Sequence, residues 1–303
     1  MTPDRPLLGI LLMLGFCVLA PLGDALAKII GQTVPLGVLL LARFGVQGLL
    51  LFPIVLTTRR NWRLSGRVLR LAWLRTALHI VGIGAMFTAL RYLPLADAVA
   101  IAFVMPFIML VLGHYVLREE IGIRRIIACG VGFLGTLLVI QPAFSSVGWP
   151  ALLPLVVAIV FSLFMIVTRQ IAKETDPIGL QCVNGFMAVA ILLPVMVIFR
   201  GSEIELFQMK APIGGECVML ITIGVIGTFA HLLMTWSLRF APSATLAPMQ
   251  YLEIPFATFI GWLVFKELPN SLAAVGIAIT ILSGLYIVMR ERATSRLNQV
   301  TPP

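Results

Sequence analysis

Four of the charged residues that lie within long apolar stretches of this 303-residue sequence are candidates for chemistry. Asp24 and Lys28 are four residues apart, Arg43 lies in the next apolar stretch, and Glu253 lies in one of the last. If these stretches cross a bilayer, a charge at its centre costs at least about 2.5–3.5 kcal/mol, so such a residue faces the interior of a helix bundle or a water-filled cavity. These four positions are therefore the first candidates for chemistry.

Asp24 and Lys28 have the spacing of neighbours on one face of a helix, so their side chains can form an ion pair. The pair would either stabilise the end of its helix or set the electric field beside a binding site. Arg43 is flanked by mostly apolar residues, so it cannot easily extend to water. It either pairs with Asp24 or holds an electronegative group of a ligand by charge-assisted hydrogen bonds.

Glu253 lies two residues before Pro255, and a proline in a helix frees a carbonyl one turn earlier. Broken helices with freed polar groups often line transport sites. Glu253 would therefore hydrogen-bond a ligand or exchange a proton. The alternative is a structural pair with Arg43 or Lys28.

Other residues in the apolar stretches each have a functional and a structural interpretation. Trp236 and Tyr251 offer planar surfaces for stacking on a ring, and anchoring at the membrane interface is the alternative. Arg75 lies near the end of its stretch, and we expect it to extend to the lipid headgroups. His79 and His231 could move protons; the more common role of such a histidine is a satisfied position in a bundle.

The composition requires a membrane. Hydrophobic residues make up 60% of the chain, charged residues only 12%, and the mean hydropathy is +1.04. A soluble domain is roughly 25% charged and 45–50% apolar. The apolar runs are continuous, which favours helices over the alternating pattern of a β-barrel. About 20 apolar residues cross a bilayer, and ten such spans are predicted: 7–30, 35–56, 71–90, 95–117, 126–140, 152–171, 177–199, 212–236, 244–265 and 272–289. The fifth is short and should extend into its flanking residues.

The second half of the chain repeats the first. Eight residues of the first half are identical to the residue 148 positions later: Met86, Leu90, Arg91, Pro94, Ala96, Gly113, Val116 and Glu119. A duplicated apolar unit is typical of transporters, whose substrate site lies between the repeats. The repeat partners Glu119 and Glu267 are expected to be solvated caps at span ends.

Basic residues give the orientation. Fifteen of the 22 lysine and arginine residues fall in alternate connections, which places both termini in the cytoplasm. Each half then has five spans, so the halves enter the membrane from opposite sides and form inverted repeats. We expect repeats at 1–142 and 150–291, divided within 141–150, and a cytoplasmic tail at 292–303. The positive charge is a topology signal, and no nucleic-acid partner is expected.

The sequence contains no motif of a soluble enzyme in a setting where it could act. A glycine pattern at 130–135 matches GxGxxG but lies inside an apolar span, where small residues serve helix packing. The four cysteines form no CxxC pair, and HExxH, GxSxG and the ATP-binding GxxxxGK[ST] pattern do not occur. No catalytic residue, metal or cofactor is therefore predicted.

The ten spans, the repeat and the pattern of a proline followed by Gly-x5-Glu, at Gly113–Glu119 and Gly261–Glu267, resemble the EamA family of the drug/metabolite transporter superfamily. The resemblance implies an inner-membrane carrier with a central cavity. Asp24 to Lys28, Arg43-Phe44 and Tyr251 to Glu253, with the run from Phe265 to Pro269, look similar to bacterial riboflavin and S-adenosylmethionine uptake carriers.

The expected function is alternating-access transport of a small organic metabolite across the bacterial inner membrane. Riboflavin uptake is the first substrate expectation. S-adenosylmethionine, an amino-acid-related metabolite and export are alternatives, and an intramembrane enzyme or a channel is the rival of another class. The lipid bilayer and the substrate are the expected partners, with coupled protons and a monomer or homodimer left open.

Overall fold

The computed structural model describes residues 5–118, 122–200 and 207–300, and every regular element in these ranges is helical. A helix satisfies its backbone hydrogen bonds within its own segment, which a bilayer demands. The α-helices are α1 (Pro6–Ile30), α2 (Leu36–Thr57), α3 (Gly66–Ala89), α4 (Leu95–Ala102), α5 (Met105–Leu117), α6 (Ile123–Val147), α7 (Leu153–Ala172), α8 (Pro177–Ile198), α9 (Gly215–Phe240), α10 (Ser243–Leu246), α11 (Glu253–Ile260) and α12 (Ser271–Val300).

Eight helical segments of the described residues are long and apolar enough to cross a membrane. The last two predicted spans correspond to shorter apolar helices, Met249–Phe265 and Ser271–Tyr286. At about 1.5 Å per residue these reach roughly 25 Å, slightly less than a hydrocarbon core of about 30 Å. The all-helical prediction is confirmed, and the count of ten membrane crossings remains a prediction.

The junction between the halves lies at the end of α6. α6 has 25 residues, so it extends beyond the predicted fifth span at both ends, as expected. It also continues past Pro142 to Val147, so the predicted division within 141–150 falls in the last turns of this helix and the turn that follows. Gly148 ends the helix with a φ of +71°, which glycine adopts without a side-chain clash.

Helix packing has the symmetry of a duplicated unit. Exchanging the halves replaces α1 by α7, α2 by α8, α3 by α9 and α6 by α12. α1 packs along α9 and α7 along α3, and exchange converts one pair into the other. α2 packs on α8 and α6 on α12, so each of these pairs is its own counterpart. The two halves therefore share one interdigitated bundle.

The fourth span of each half is broken at its middle. In the first half α4 ends at Ala102 and α5 begins at Met105. In the second half a 3₁₀ turn, Ala247–Leu252, precedes α11, and a π turn, Gly261–Phe265, follows it. Both spans end at a residue with left-handed backbone, Arg118 at φ 53° and Lys266 at φ 57°. These two residues are equivalent in the repeat. Both halves therefore end this span with the same uncommon left-handed turn.

Two of the three glycines in the pattern at 130–135, Gly132 and Gly135, serve packing as predicted, whereas nothing lies within 4 Å of a Cβ atom on Gly130. A Cβ atom on Gly135 would lie 2.5 Å from Thr280 Oγ1 and 2.7 Å from the Gly276 carbonyl of α12. A Cβ on Gly132 would lie 2.9 Å from the Tyr251 hydroxyl. These glycines allow α6 to approach its neighbours closely.

Different ion pairs lie at the two ends of the bundle. At the end we call the basic end, Arg60 meets Asp176 at 2.8 Å and Arg67 meets Glu174 at 3.1 Å. These pairs join the connection between α2 and α3, and the first turn of α3, to the turn between α7 and α8. At the opposite end the two halves are joined by Lys28, whose Nζ lies 2.6 Å from Oε2 of Glu267.

Two sequence expectations fail at this opposite end. Lys28 pairs with Glu267 and donates to the Leu93 carbonyl at 3.0 Å, so the predicted pairing of Lys28 with Asp24 is wrong. Glu267 is held by Lys28 and is only partly exposed, so its interpretation as a solvated cap is also wrong. Its repeat partner Glu119 lies outside the described residues.

Candidate functional site

A central cavity holds three of the four charged residues that the apolar stretches singled out. Asp24, Arg43 and Glu253 line it, together with His231. Its accessible volume is about 80 Å³, so in this conformation it is smaller than the roughly 300–1,000 Å³ typical of small-molecule sites. Its walls come from helices of both halves, and most of the remaining lining is apolar.

Phenylalanine supplies the aromatic walls of the cavity. The rings come from α1, α3, α7 and the break between α4 and α5, and they belong to Phe16, Phe87, Phe161 and Phe103. Each of these residues is at most 8% exposed. The cavity therefore combines flat apolar surfaces with a small number of charged groups.

Arg43 is the polar centre of the site and is only 2% exposed. Its Nη1 donates to Gln47 Oε1 at 3.0 Å, one turn along α2, and its Nη2 lies 3.1 Å from His231 Nδ1. His231 Nδ1 also lies 3.0 Å from the Gly227 carbonyl, so this nitrogen either accepts from Arg43 through its lone pair or donates to Gly227 as an N–H, and it cannot do both. The guanidinium also lies against Gly227, where a Cβ atom would collide with it. Gly227 thus makes room for Arg43.

Asp24 and Arg43 act on each other electrostatically without touching. Asp24 is partly exposed on the cavity surface, and the positive charge of Arg43 influences it. No Asp24–Arg43 contact within 4.0 Å occurs among the described ion pairs. The direct Asp24–Arg43 pair, which was one of the two alternatives from the sequence, is therefore absent among the described ion pairs, and the opposite charges are separated within the cavity.

Glu253 is the second carboxylate of the cavity. It is the first residue of α11, directly after the 3₁₀ turn, and it is 8% exposed. It is close enough to Asp24 for the two negative charges to interact. Among the described ion pairs it contacts neither Arg43 nor Lys28 within 4.0 Å, so the structural pairing considered from the sequence does not form. The cavity thus contains two carboxylates and one arginine.

The other predicted site residues lie elsewhere. Lys28 is at the opposite end of the bundle with Glu267. Trp236 packs beside an apolar cluster of α2, α8 and α9 and does not line the cavity. Tyr251 is fully buried behind the wall, with its ring 5.6 Å from that of Phe103. The rings that face the cavity are phenylalanines, which the sequence did not single out.

The position of Arg75 also differs from the prediction. It is fully buried, so the prediction that it extends to the headgroups is wrong. Its Nε donates to Thr168 Oγ1 at 2.8 Å and its Nη2 to Thr235 Oγ1 at 3.2 Å. Its guanidinium lies 4.5 Å from the centre of the Phe164 ring, a cation–π arrangement.

Two histidines lie between the arginines. The rings of His79 and His231 are 4.3 Å apart, and Phe44 and Phe164 pack on His79 at 4.9 Å and 4.6 Å. The sequence placed these histidines far apart, and only the fold brings them together. Arg43 and Gln47 are four residues apart, as are Gly227 and His231, so each pair shares one face of its helix.

In the described parts of the chain, no group of three or more His, Cys, Asp or Glu residues is placed to hold a metal ion. The central cavity contains both donors and acceptors of hydrogen bonds. Arg43 can donate to oxygen acceptors, and Asp24 and Glu253 can accept hydrogen bonds or hold positive charge.

Comparisons with known proteins give a consistent family. The sequence profile of the EamA-like transporter family matches the chain twice, over residues 7–141 and 148–290. The chain is similar to a protein from Brucella anthropi named riboflavin transporter, with 26% identity over 74% of this chain and 78% of that protein. It is also similar to the S-adenosylmethionine uptake transporter of Rickettsia prowazekii, with 22% identity over 91% of this chain and 90% of that protein.

A solved crystal structure has the same fold. It aligns with a TM-score of 0.68 over 93% of this chain and 95% of that chain, at 17% sequence identity. The arrangement of helices is thus shared at low sequence similarity.

Proposed function

Since the chain belongs to the EamA-like transporter family, we propose that this multi-pass membrane protein is a secondary transporter that takes up riboflavin by alternating access. The cavity is the observation that carries the proposal. It lies between the two halves, where transporters built from repeats bind their substrates. Similarity to riboflavin transporters supports the choice of substrate.

The chemistry of riboflavin fits the lining of the cavity. Its isoalloxazine ring is flat and largely apolar, which suits the phenylalanine walls. One edge of that ring carries two carbonyl groups and an N–H. We propose that Arg43 donates to a ring carbonyl and that Asp24 accepts from the ring N–H or from a ribityl hydroxyl. The opposite charges of the cavity thereby orient a neutral molecule.

Glu253 is the proposed coupling residue. With Asp24 ionised and Arg43 positive, an ionised Glu253 leaves the cavity with an excess negative charge in a low-dielectric surrounding. Binding one proton removes that excess. Because no ATP-binding motif occurs in the sequence, an ion gradient is the proposed energy source.

Orientation in the membrane follows from the basic end. We propose that this end faces the cytoplasm of a bacterium, with both termini on that side of the inner membrane. The proposed inverted repeats are 1–142 and 150–291, and the Lys28–Glu267 contact then lies on the periplasmic side. Rocking of one half against the other would expose the cavity to each side in turn.

S-adenosylmethionine is the second candidate substrate. Its sulfonium group is a cation and its adenine ring is flat, and the cavity has two carboxylates as well as aromatic walls. An uptake transporter of this compound is similar to the chain over most of its length. The excess of carboxylates is the observation that favours it.

Growth of a riboflavin auxotroph tests the proposal in cells. Expression of the chain should restore growth at low external riboflavin, and Arg43→Gln should abolish the rescue at equal membrane abundance. Arg70→Gln is the matched control, since Arg70 is exposed at the start of α3, away from the cavity. Rescue by Arg43→Gln equal to that of the unaltered chain would contradict the assigned site. Failure of the unaltered chain would contradict riboflavin uptake.

A further inference from the structure

A second buried cationic cluster lies between the cavity and the basic end. It consists of Arg75 with Thr168, Thr235 and Gln181, and we call it the Arg75 cluster. Arg75 donates to both threonine hydroxyls, at 2.8 Å and 3.2 Å, and Gln181 Nε2 donates to Thr235 at 3.1 Å. All four residues are fully buried. The cluster is assembled from α3, α7, α8 and α9.

The positive charge of this cluster has no counter-charge nearby. Arg75 forms no ion pair within 4.0 Å among the described residues. Its hydrogen bonds go to neutral hydroxyls, and its Nη1 is buried with no hydrogen-bond partner in the described parts of the chain. A buried cation is costly unless it is paired and hydrogen-bonded. The free Nη1 donor therefore points to a ligand that supplies an acceptor.

The two threonine hydroxyls accept from Nε and Nη2 of Arg75, and neither of them is a hydrogen-bond partner of Nη1. Thr168 donates to the Phe164 carbonyl and Thr235 to the His231 carbonyl, both at 2.7 Å, while each accepts from Arg75. The positive charge of Arg75 acts on His79 and His231, and neither of these side chains supplies a negative charge. The surroundings are thus neutral at every contact that the structure shows.

Hydrogen bonds connect this cluster to the cavity. Arg43 donates to Gln47, and Gln47 Nε2 donates to the Gln181 carbonyl at 2.7 Å and to its side chain at 3.2 Å. Gln181 then donates to Thr235, which also accepts from Arg75. The five residues of this hydrogen-bonded line are each at most 2% exposed. A continuous polar line therefore runs from one arginine to the other through an apolar bundle.

We propose that the Arg75 cluster is a second binding site, which receives an acceptor oxygen of the cargo, a carbonyl or carboxylate, after Arg43 releases it. The inference rests on the proposed transport function and deepens it. In the state open toward the basic end, the cargo would exchange Arg43 for Arg75. The glutamine pair keeps the path between them polar, so a hydrogen-bonding group never crosses bare hydrocarbon.

Charge-selective labelling tests this site without reference to the cargo. The reporter is Thr235→Cys in a chain whose natural cysteines are replaced by alanine, in sealed vesicles of known sidedness. An anionic and a cationic methanethiosulfonate reagent are added from each side, and each rate is divided by that reagent's rate with a free thiol. We expect labelling from the basic-end side, several times faster for the anionic reagent because Arg75 attracts it. Arg75→Gln should abolish this preference, and Arg70→Gln should leave it unchanged.

Three results would overturn the proposal: no labelling from either side, no anionic preference, or a preference that survives in Arg75→Gln. Thr168→Cys is the second reporter if Thr235→Cys fails to accumulate in the membrane. Riboflavin is then added as a protecting ligand. Anionic preference with protection supports both proposals. Anionic preference without protection supports the acceptor site and counts against riboflavin as the cargo.

Discussion

The site depends on one close contact between a large cation and the smallest residue. Arg43 occupies the space beside Gly227 that a Cβ atom would need. Gly227→Ala should therefore displace the guanidinium from His231 and destabilise the protein by about 1–3 kcal/mol, as overpacking does. The thermal unfolding temperature in detergent measures this.

Gly130→Ala is the matched control for that substitution. Gly130 also lies inside a helix, α6, and nothing approaches a Cβ atom there within 4 Å. Alanine favours helix by up to about 1 kcal/mol relative to glycine, so this variant should unfold at the same or a higher temperature. Equal unfolding temperatures for the two alanine variants would show that Arg43 has more room than the structure gives it.

The charged residues of the site could be predicted from the sequence, and their neutral partners could not. Asp24, Arg43 and Glu253 stood out because a charge in an apolar stretch is costly. Gln47 and Gly227 carried no such signal, because neutral polar residues and glycines are ordinary in membrane spans. Their role depends on which helices pack together, and one sequence does not give that.

The ends of the broken spans are the elements most specific to this fold. Lys28 on α1 holds Glu267, which directly follows the left-handed residue Lys266. Since these residues come from different halves, the pair ties the halves together at the opposite end. The i, i+4 spacing of Asp24 and Lys28 suggested a local pair, and the long-range partner replaced it.

A double-mutant cycle measures the interaction between Lys28 and Glu267. Lys28→Gln and Glu267→Gln should each lower the unfolding temperature, and the double variant should lower it by less than the sum. For a partly exposed pair we expect a coupling energy of about 1 kcal/mol or less. High salt should reduce it. Strictly additive effects would show that the contact does not join the halves.

Hydropathy predicted the helices because each span must be apolar over its length. It could not predict where the fourth span of each half breaks. Pro255 drew attention to the second-half break, yet the irregular turn lies before it, at Ala247–Leu252. α1, α5 and α12 contact this turn, and hydropathy carries no information about such contacts.

For the whole molecule, the orientation in the membrane is the first claim to test. Reporter fusions after Arg63 and Lys173, both at the basic end, should report the cytoplasm. A fusion after Gln32, at the opposite end, should report the periplasm. The excess of basic residues in alternate connections is the physical reason. The same compartment for Gln32 and Arg63 would overturn the inverted-repeat topology.

Uptake of labelled riboflavin into proteoliposomes tests the central claim most directly. An inward proton gradient is applied, and the unaltered chain, Glu253→Gln, Arg70→Gln and empty liposomes are compared at equal protein incorporation. We predict saturable uptake of chemically unchanged riboflavin by the unaltered chain and by Arg70→Gln. Glu253→Gln keeps the shape of the side chain and loses its titrating charge, so it should lose gradient-driven uptake. Uptake no greater than that of empty liposomes, flux that does not saturate, an altered product, or an undiminished and equally pH-dependent rate in Glu253→Gln would contradict the account.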